Sequence, residues 1–95
     1  MYEQAFPRFA VVGEIDMATA ERFRERLEHH VASSDGDVLL DCHELTFIDS
    51  CGIKVLIDVA VAASSQGRRL VTTNLQPQCR RTFELTGVEG LLGVT

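Results

Sequence analysis

The stretch Val38–Leu56 reads VLLDCHELTFIDSCGIKVL, and its first five residues and its last ten decide the fold. VLLDC (Val38–Cys42) is a short continuous apolar run between turn signals, the pattern of a strand with a parallel neighbour and helices packed over it. Asp49 and Ser50 then stand where a helix would begin. Both residue types are favoured caps because their oxygens accept from backbone N–H groups that the first helical turn leaves unpaired. The following IKVLIDVAVAASS puts Ile53, Leu56, Ile57 and Ala60 on one stripe. Val55, Val59 and Val61 argue mildly for strand, but about thirteen residues without a turn is long for one, so length predicts a helix that Gly67 closes.

The pattern continues outward in both directions. FAVVGEID (Phe9–Asp16) starts as a β-branched apolar run and is expected to stop at Gly13. From Met17 a helical period follows, with Ala20, Phe23, Leu27 and Val31 inward and opposite charges laced over the other face. SSDGD (Ser33–Asp37) closes that helix. RRLVTTN (Arg68–Asn74) reads as another short strand, and Pro77 opens a third helix, with Cys79, Phe83 and Thr86 inward and Gly87 as its stop. GLLGVT leaves room for one last short strand. Strand–helix alternation of this kind predicts an α/β sandwich.

Composition bounds the function. The chain has 95 residues, 45% hydrophobic and 24% charged, which fits one ordinary domain with its own core. A net charge of −5 spread along the chain disfavours nucleic acid, which needs a basic face. No apolar run approaches the roughly 20 residues of a membrane span, and MYEQAFPRF lacks the pattern of a secretory leader. A cytoplasmic protein without membrane insertion is therefore expected, its three cysteines reduced. Cys42, Cys51 and Cys79 form neither a disulfide framework nor a zinc pattern. No phosphate-binding glycine loop occurs, so no cofactor or metal is expected.

The segment DSCG (Asp49–Gly52) admits two chemistries. A hydroxyl at a helix start lies among free N–H donors at the positive end of the helix dipole, so a phosphoryl group on Ser50 would be well received there. Alternatively, a thiol at such a position is activated, and Cys51 would be a nucleophile with His29, His30 or His43 as base. His29 and His30 fall at the far end of the first helix, and the glycine-flanked nucleophile elbow is missing. Core packing is the expectation for Cys42 and Cys79.

GEID (Gly13–Asp16), LLDCHELTFIDSCGIKVL (Leu39–Leu56) and FELTGVEGLL (Phe83–Leu92) occur in the order and spacing of STAS domains. They most resemble the bacterial anti-sigma factor antagonists, from about Phe9 onward. The resemblance implies a single domain over residues 1–95, with a small mixed sheet of four to five strands and three to four helices mainly on one side. It implies a partner switch and no catalytic residue. The unmodified antagonist binds an anti-sigma factor of the serine-kinase type and so frees a sigma factor. Phosphorylation of the D-S-[ST]-G element releases the complex, and a phosphatase resets it.

Carried onto this chain, Ser50 and Cys51 take the two hydroxyl positions between Asp49 and Gly52. Asp16 matches the acid at the neighbouring turn, and Asp41 the acid ending the central strand. Asp16, Asp49, Ser50, Cys51 and Gly52 are thus the expected partner-binding residues, and Ser50 the phosphorylation site. Cys51 departs from the family pattern, and it opens two alternatives: constitutive binding, or oxidation of Cys51 with Cys42, expected at the same end of the strand, resolving the sulfenate. The resemblance ends soon after GVEGLLGV, where a shortened final strand and helix would expose a sheet edge and favour weak self-association. Regulation of a transporter or lipid-trafficking assembly by a STAS subunit is the alternative function, and a thiol-dependent enzyme comes third.

Overall fold

The computed structural model describes residues 8–95, so the amino-terminal stretch read for a leader lies largely outside the described residues. Two successive β-α-β units build the sheet: β1 (Arg8–Ile15), α1 (Ala20–Ala32), β2 (Val38–Ile48), α2 (Ser50–Ser64) and β3 (Leu70–Thr73), followed by α3 (Pro77–Thr86). The strand order is β1-β2-β3, and both pairings are parallel. Among the described residues the sheet therefore has three parallel strands, which corrects the expected mixed sheet of four to five. The final stretch contributes one isolated bridge, Thr72 to Val94, in place of a strand. The buried hydroxyl of Thr72 also donates to Leu92 O at 2.7 Å, so the closing segment covers β3 at that point.

Parallel connections are right-handed, and both crossovers step the same way across the sheet, so α1 and α2 share one face and pack on each other. Val38, Leu40 and Cys42 are buried while Leu39 and Asp41 between them are only partly so. The run Val38–Cys42 is thus a half-covered strand, not one enclosed on both faces. Phe23 and Leu27 of α1 meet this surface, with Ala20 and Val31 packed at its margin. On α2 the buried arc is wider than the expected stripe and takes in Val55 and Val59. In α3, Cys79 and Phe83 are buried, whereas Thr86 is exposed and bonds its own helix. Gly87 ends α3 at φ 71°, a left-handed conformation that glycine adopts without strain.

β1 and β2 are longer than their sequence patterns suggest. β1 continues through Gly13, whose φ of 84° marks an irregularity in the pairing instead of the strand's end. β2 continues six residues beyond Cys42 to Ile48. Ala10 and Val12 of β1 face Asp41 and Glu44, and Gly13 and Glu14 face Leu45 and Phe47, so β2 carries one extra residue at each of two bulges. Each bulge shifts the alternation, and the inward residues become Cys42, Leu45 and Ile48. The extra carbonyls find side-chain donors from the segment that starts α3. Gln76 Nε2 donates to His43 O at 2.8 Å, and Gln78 Nε2 reaches Thr46 O at 3.5 Å.

Candidate functional site

The carboxyl ends of β1 and β2 lie side by side, with Ile15 paired to Ile48, and each strand runs directly into a turn and a helix. In open parallel sheets this end is where ligands and partners gather. The two turns are tied together by Asp49 N–H donating to Ile15 O at 3.1 Å. Asp49 is extended (φ −111°, ψ −170°), and its Oδ1 accepts from the backbone N–H of Cys51 at 2.9 Å and of Gly52 at 3.3 Å. It is the cap of α2, as the residue type predicts.

Ser50 is therefore the first helical residue, and it is exposed. Cys51, the second, is half-buried. Gly52 is buried, and a β-carbon there would lie 2.6 Å from Ile48 Cγ1 and 2.8 Å from Ile15 Cγ2. The absence of a β-carbon lets the start of α2 sit directly on the ends of two strands.

Asp16 organises the other turn. Its Oδ1 accepts from Ala18 N–H at 2.9 Å, from Thr19 N–H at 3.1 Å and from Thr19 Oγ1 at 3.2 Å. Asp16 N–H in turn donates to Thr19 Oγ1 at 2.9 Å, and Asp16 O accepts from Ala20 N–H at 2.8 Å. This set of bonds, tied to β1 by Thr19 Oγ1 donating to Glu14 O at 3.0 Å, consumes the residues Met17–Thr19 and moves the start of α1 from Met17 to Ala20. It also projects Met17, 82% exposed, beside Ser50. Met17, Ala20, Glu21 and Arg24 of the first turn and helix and Ser50, Cys51, Lys54 and Val55 of α2 line one open groove.

Charge along that groove is ordered by a network that the sequence reading did not single out. Asp58 accepts from Arg24 Nη2 at 2.9 Å across the helix pair and from Lys54 Nζ at 3.0 Å within α2. Arg24 also lies 3.9 Å from Glu21 and 3.8 Å from Glu28. The Lys54 ammonium, and next the Arg24 guanidinium, hold the Asp58 carboxyl below its ordinary value. The i, i+4 spacing of Lys54 and Asp58 is legible in the sequence, but the bond from Arg24 depends on how α1 lies against α2.

The remaining candidates lie elsewhere. Asp41 does not end its strand: it stands before the first bulge, and its Oδ1 accepts from His43 N–H and from Asn74 Nδ2, both at 3.1 Å. The Asn74 amide, then the His43 N–H, lower its carboxyl pKa. Asp41 thereby fixes Asn74, whose φ of 62° turns the chain toward α3. Cys42 is buried in mid-strand, and its thiol is pushed up to about 12, first by desolvation and then by the neighbouring Asp41 charge. From Cys42 to the start of α2 the strand rises roughly 3.3 Å per residue, so even with two bulges the separation from Cys51 is about 15 Å or more. Cys42 is therefore not placed to resolve a Cys51 sulfenate. His43 also lies within β2, five residues before its end, and His29 and His30 lie in the last turn of α1, so no histidine adjoins the thiol in the start of α2 as a base. Among the described residues no cluster of His, Cys, Asp or Glu is arranged to hold a metal.

A family model described as "Mlab, STAS domain" matches residues 3–93. The chain belongs to the STAS domain family. This STAS domain is 29% identical over 84 residues to the anti-sigma-B factor antagonist of Listeria monocytogenes, covering 88% of this chain and 74% of that protein. It is similar in structure to the unphosphorylated anti-sigma factor antagonist SpoIIAA, with a TM-score of 0.73 at 20% identity, covering 90% of this chain and 74% of the other. An anti-sigma factor antagonist from Mycobacterium paratuberculosis superimposes with a TM-score of 0.70 at 27% identity, over 90% of this chain and 72% of the other. The α/β class expected from the sequence is thus the STAS fold.

Proposed function

We propose that this STAS domain is an anti-sigma factor antagonist that binds through the paired turns at Asp16 and Asp49. The observation that carries this reading is the exposed Ser50 at the first helical position of α2, in one groove with the protruding Met17, on a surface held by the hydrogen bonds of the two turns and by the Asp49–Ile15 bond that ties them. An exposed methionine is a flexible apolar contact suited to a partner's cleft. The partner is an anti-sigma factor of the serine-kinase type, and binding it frees a sigma factor in the cytoplasm. No helix among the described residues is long and apolar enough to cross a membrane.

Control runs through Ser50. Its hydroxyl loses a proton, gains the γ-phosphoryl group of ATP, and ADP leaves. The product adds about −1.5 to −2 charge at neutral pH, next to Asp49 and on the contact surface. Desolvating that dianion against a partner and setting it against like charge costs enough to release the complex. A loss of ~3 kcal/mol weakens binding more than a hundredfold. A phosphatase returns the serine.

The reading is tested by recovering partners of the reduced protein from its own cell lysate and incubating the pair with ATP. An anti-sigma kinase is expected, together with one added phosphate by mass spectrometry that is absent in Ser50→Ala. Recovery of transporter or lipid-trafficking subunits instead would assign the domain to that other use of the fold. Binding that persists with Ser50 never modified would remove phosphorylation while keeping the partner.

A further inference from the structure

Lys54 lies one helical turn after Ser50, and both line the same groove. Its side chain is 71% exposed, and its ammonium meets a single carboxylate among the described residues, that of Asp58 one turn further on. This pairing has the less favourable order, because an i, i+4 ion pair is stronger when the acid precedes the base along the helix. In the unmodified chain the ammonium sits 3.0 Å from both carboxylate oxygens of Asp58, but the Cα–Cβ bond of a helical residue tilts toward the amino terminus, so an alternative rotamer brings Lys54 over residue 50. Asp58 does not depend on Lys54 alone, since Arg24 Nη2 holds its Oδ2 at 2.9 Å. Arg24 is itself surrounded by Glu21, Glu28 and Asp58 and has little positive field to spare.

Resting on the reading of Ser50 as the modified residue, we propose that Lys54 is the receptor for the phosphoryl group at Ser50, exchanging Asp58 for it when the modification is made. The exchange replaces a single charge in the poorer order with a near-dianion in the better one. It leaves Asp58 with Arg24 and keeps α2 folded to its first turn. Glu21, on the opposite wall of the groove, repels the new charge and turns it toward Lys54. The phosphorylated surface is then altered in charge without local unfolding, and partner release follows from the surface itself.

The test uses the full chain with phosphoserine installed at position 50 during translation, so it needs no kinase and stands apart from whether one exists. Phosphorus NMR should place the second phosphate ionisation about one pH unit below the ~6 of free phosphoserine. Lys54→Met should return it most of the way, and Lys54→Arg should keep it low. Carbon NMR should show the Asp58 carboxyl titrating higher in the phosphorylated chain than in the unmodified one, because it has lost Lys54. Equal phosphate titration in the parent and Lys54→Met chains would overturn the assignment, as would an Asp58 carboxyl that does not respond to the phosphate. Because Lys54 is exposed, its variants should unfold at the parent's temperature, and circular dichroism of each chain checks this.

Discussion

Gly52 rests against Ile48 so closely that a β-carbon on it would sit 2.6 Å from Ile48 Cγ1. The contact joins the end of β2 to the first turn of α2, the turn that begins with Ser50. Gly52→Ala is expected to cost about 1–3 kcal/mol through overpacking, more than the helix gains from alanine in its first turn. The measurement is thermal unfolding, with a fall of several degrees expected for a chain this size. An unchanged melting temperature would mean that Ile48 and Ile15 yield freely.

Asp49 caps α2 through one oxygen that accepts two backbone N–H groups. Asp49→Ala should cost about 1 kcal/mol in urea unfolding, whereas Asp49→Ser should retain most of that. Amide exchange should quicken at Cys51 and Gly52 in the alanine variant and leave the far end of α2 unaffected. If Ala and Ser behave alike, the cap contributes nothing to stability.

Asp41 ties the first bulge of β2 to Asn74, and its pKa is lowered from the ordinary 3.8 mainly by that amide. A carboxyl with a depressed folded pKa contributes stability that is complete above its unfolded value and is lost as pH falls through the folded one. Asp41→Ala should therefore be less stable than the parent near neutral pH, by about 1 kcal/mol for the lost hydrogen bonds. The difference should close below pH 3.8, which acid unfolding curves of the two proteins will show.

The cysteines should differ sharply in reactivity. Cys51 is half-buried while Cys42 and Cys79 are buried, so a thiol reagent should label one site in the native protein and three after unfolding. The Cys42 thiol is raised from 9.0 to about 12 in the fold. A raised folded pKa contributes stability that is present below the unfolded value and lost as pH rises through the folded one. Stability should thus decline between pH 9 and 12, and Cys42→Val should flatten that decline. Rapid labelling of Cys42 in the native chain would contradict its burial.

Local chemistry was sufficient for much of the chain. Helical spacing marked Phe23 and Leu27, the cap at Asp49 followed from its side chain, and Pro77 and Gly87 bounded α3, because each signal acts within a turn or two of its own residue. The motifs around Asp16 and Asp49 also carried the family resemblance. The length of β2 was not legible, because two bulges change the inward period from two to three at Cys42, Leu45 and Ile48. That spacing has no meaning until β1 lies beside it, and the misplacement of Cys42 and Asp41 at the strand's end followed directly. The packing role of Gly52 was not legible either, because only the packed ends of β1 and β2 reveal that no β-carbon fits there. The groove charges were likewise decided by tertiary structure: Arg24 and Asp58 are far apart in sequence and meet only because two same-handed crossovers lay α1 against α2.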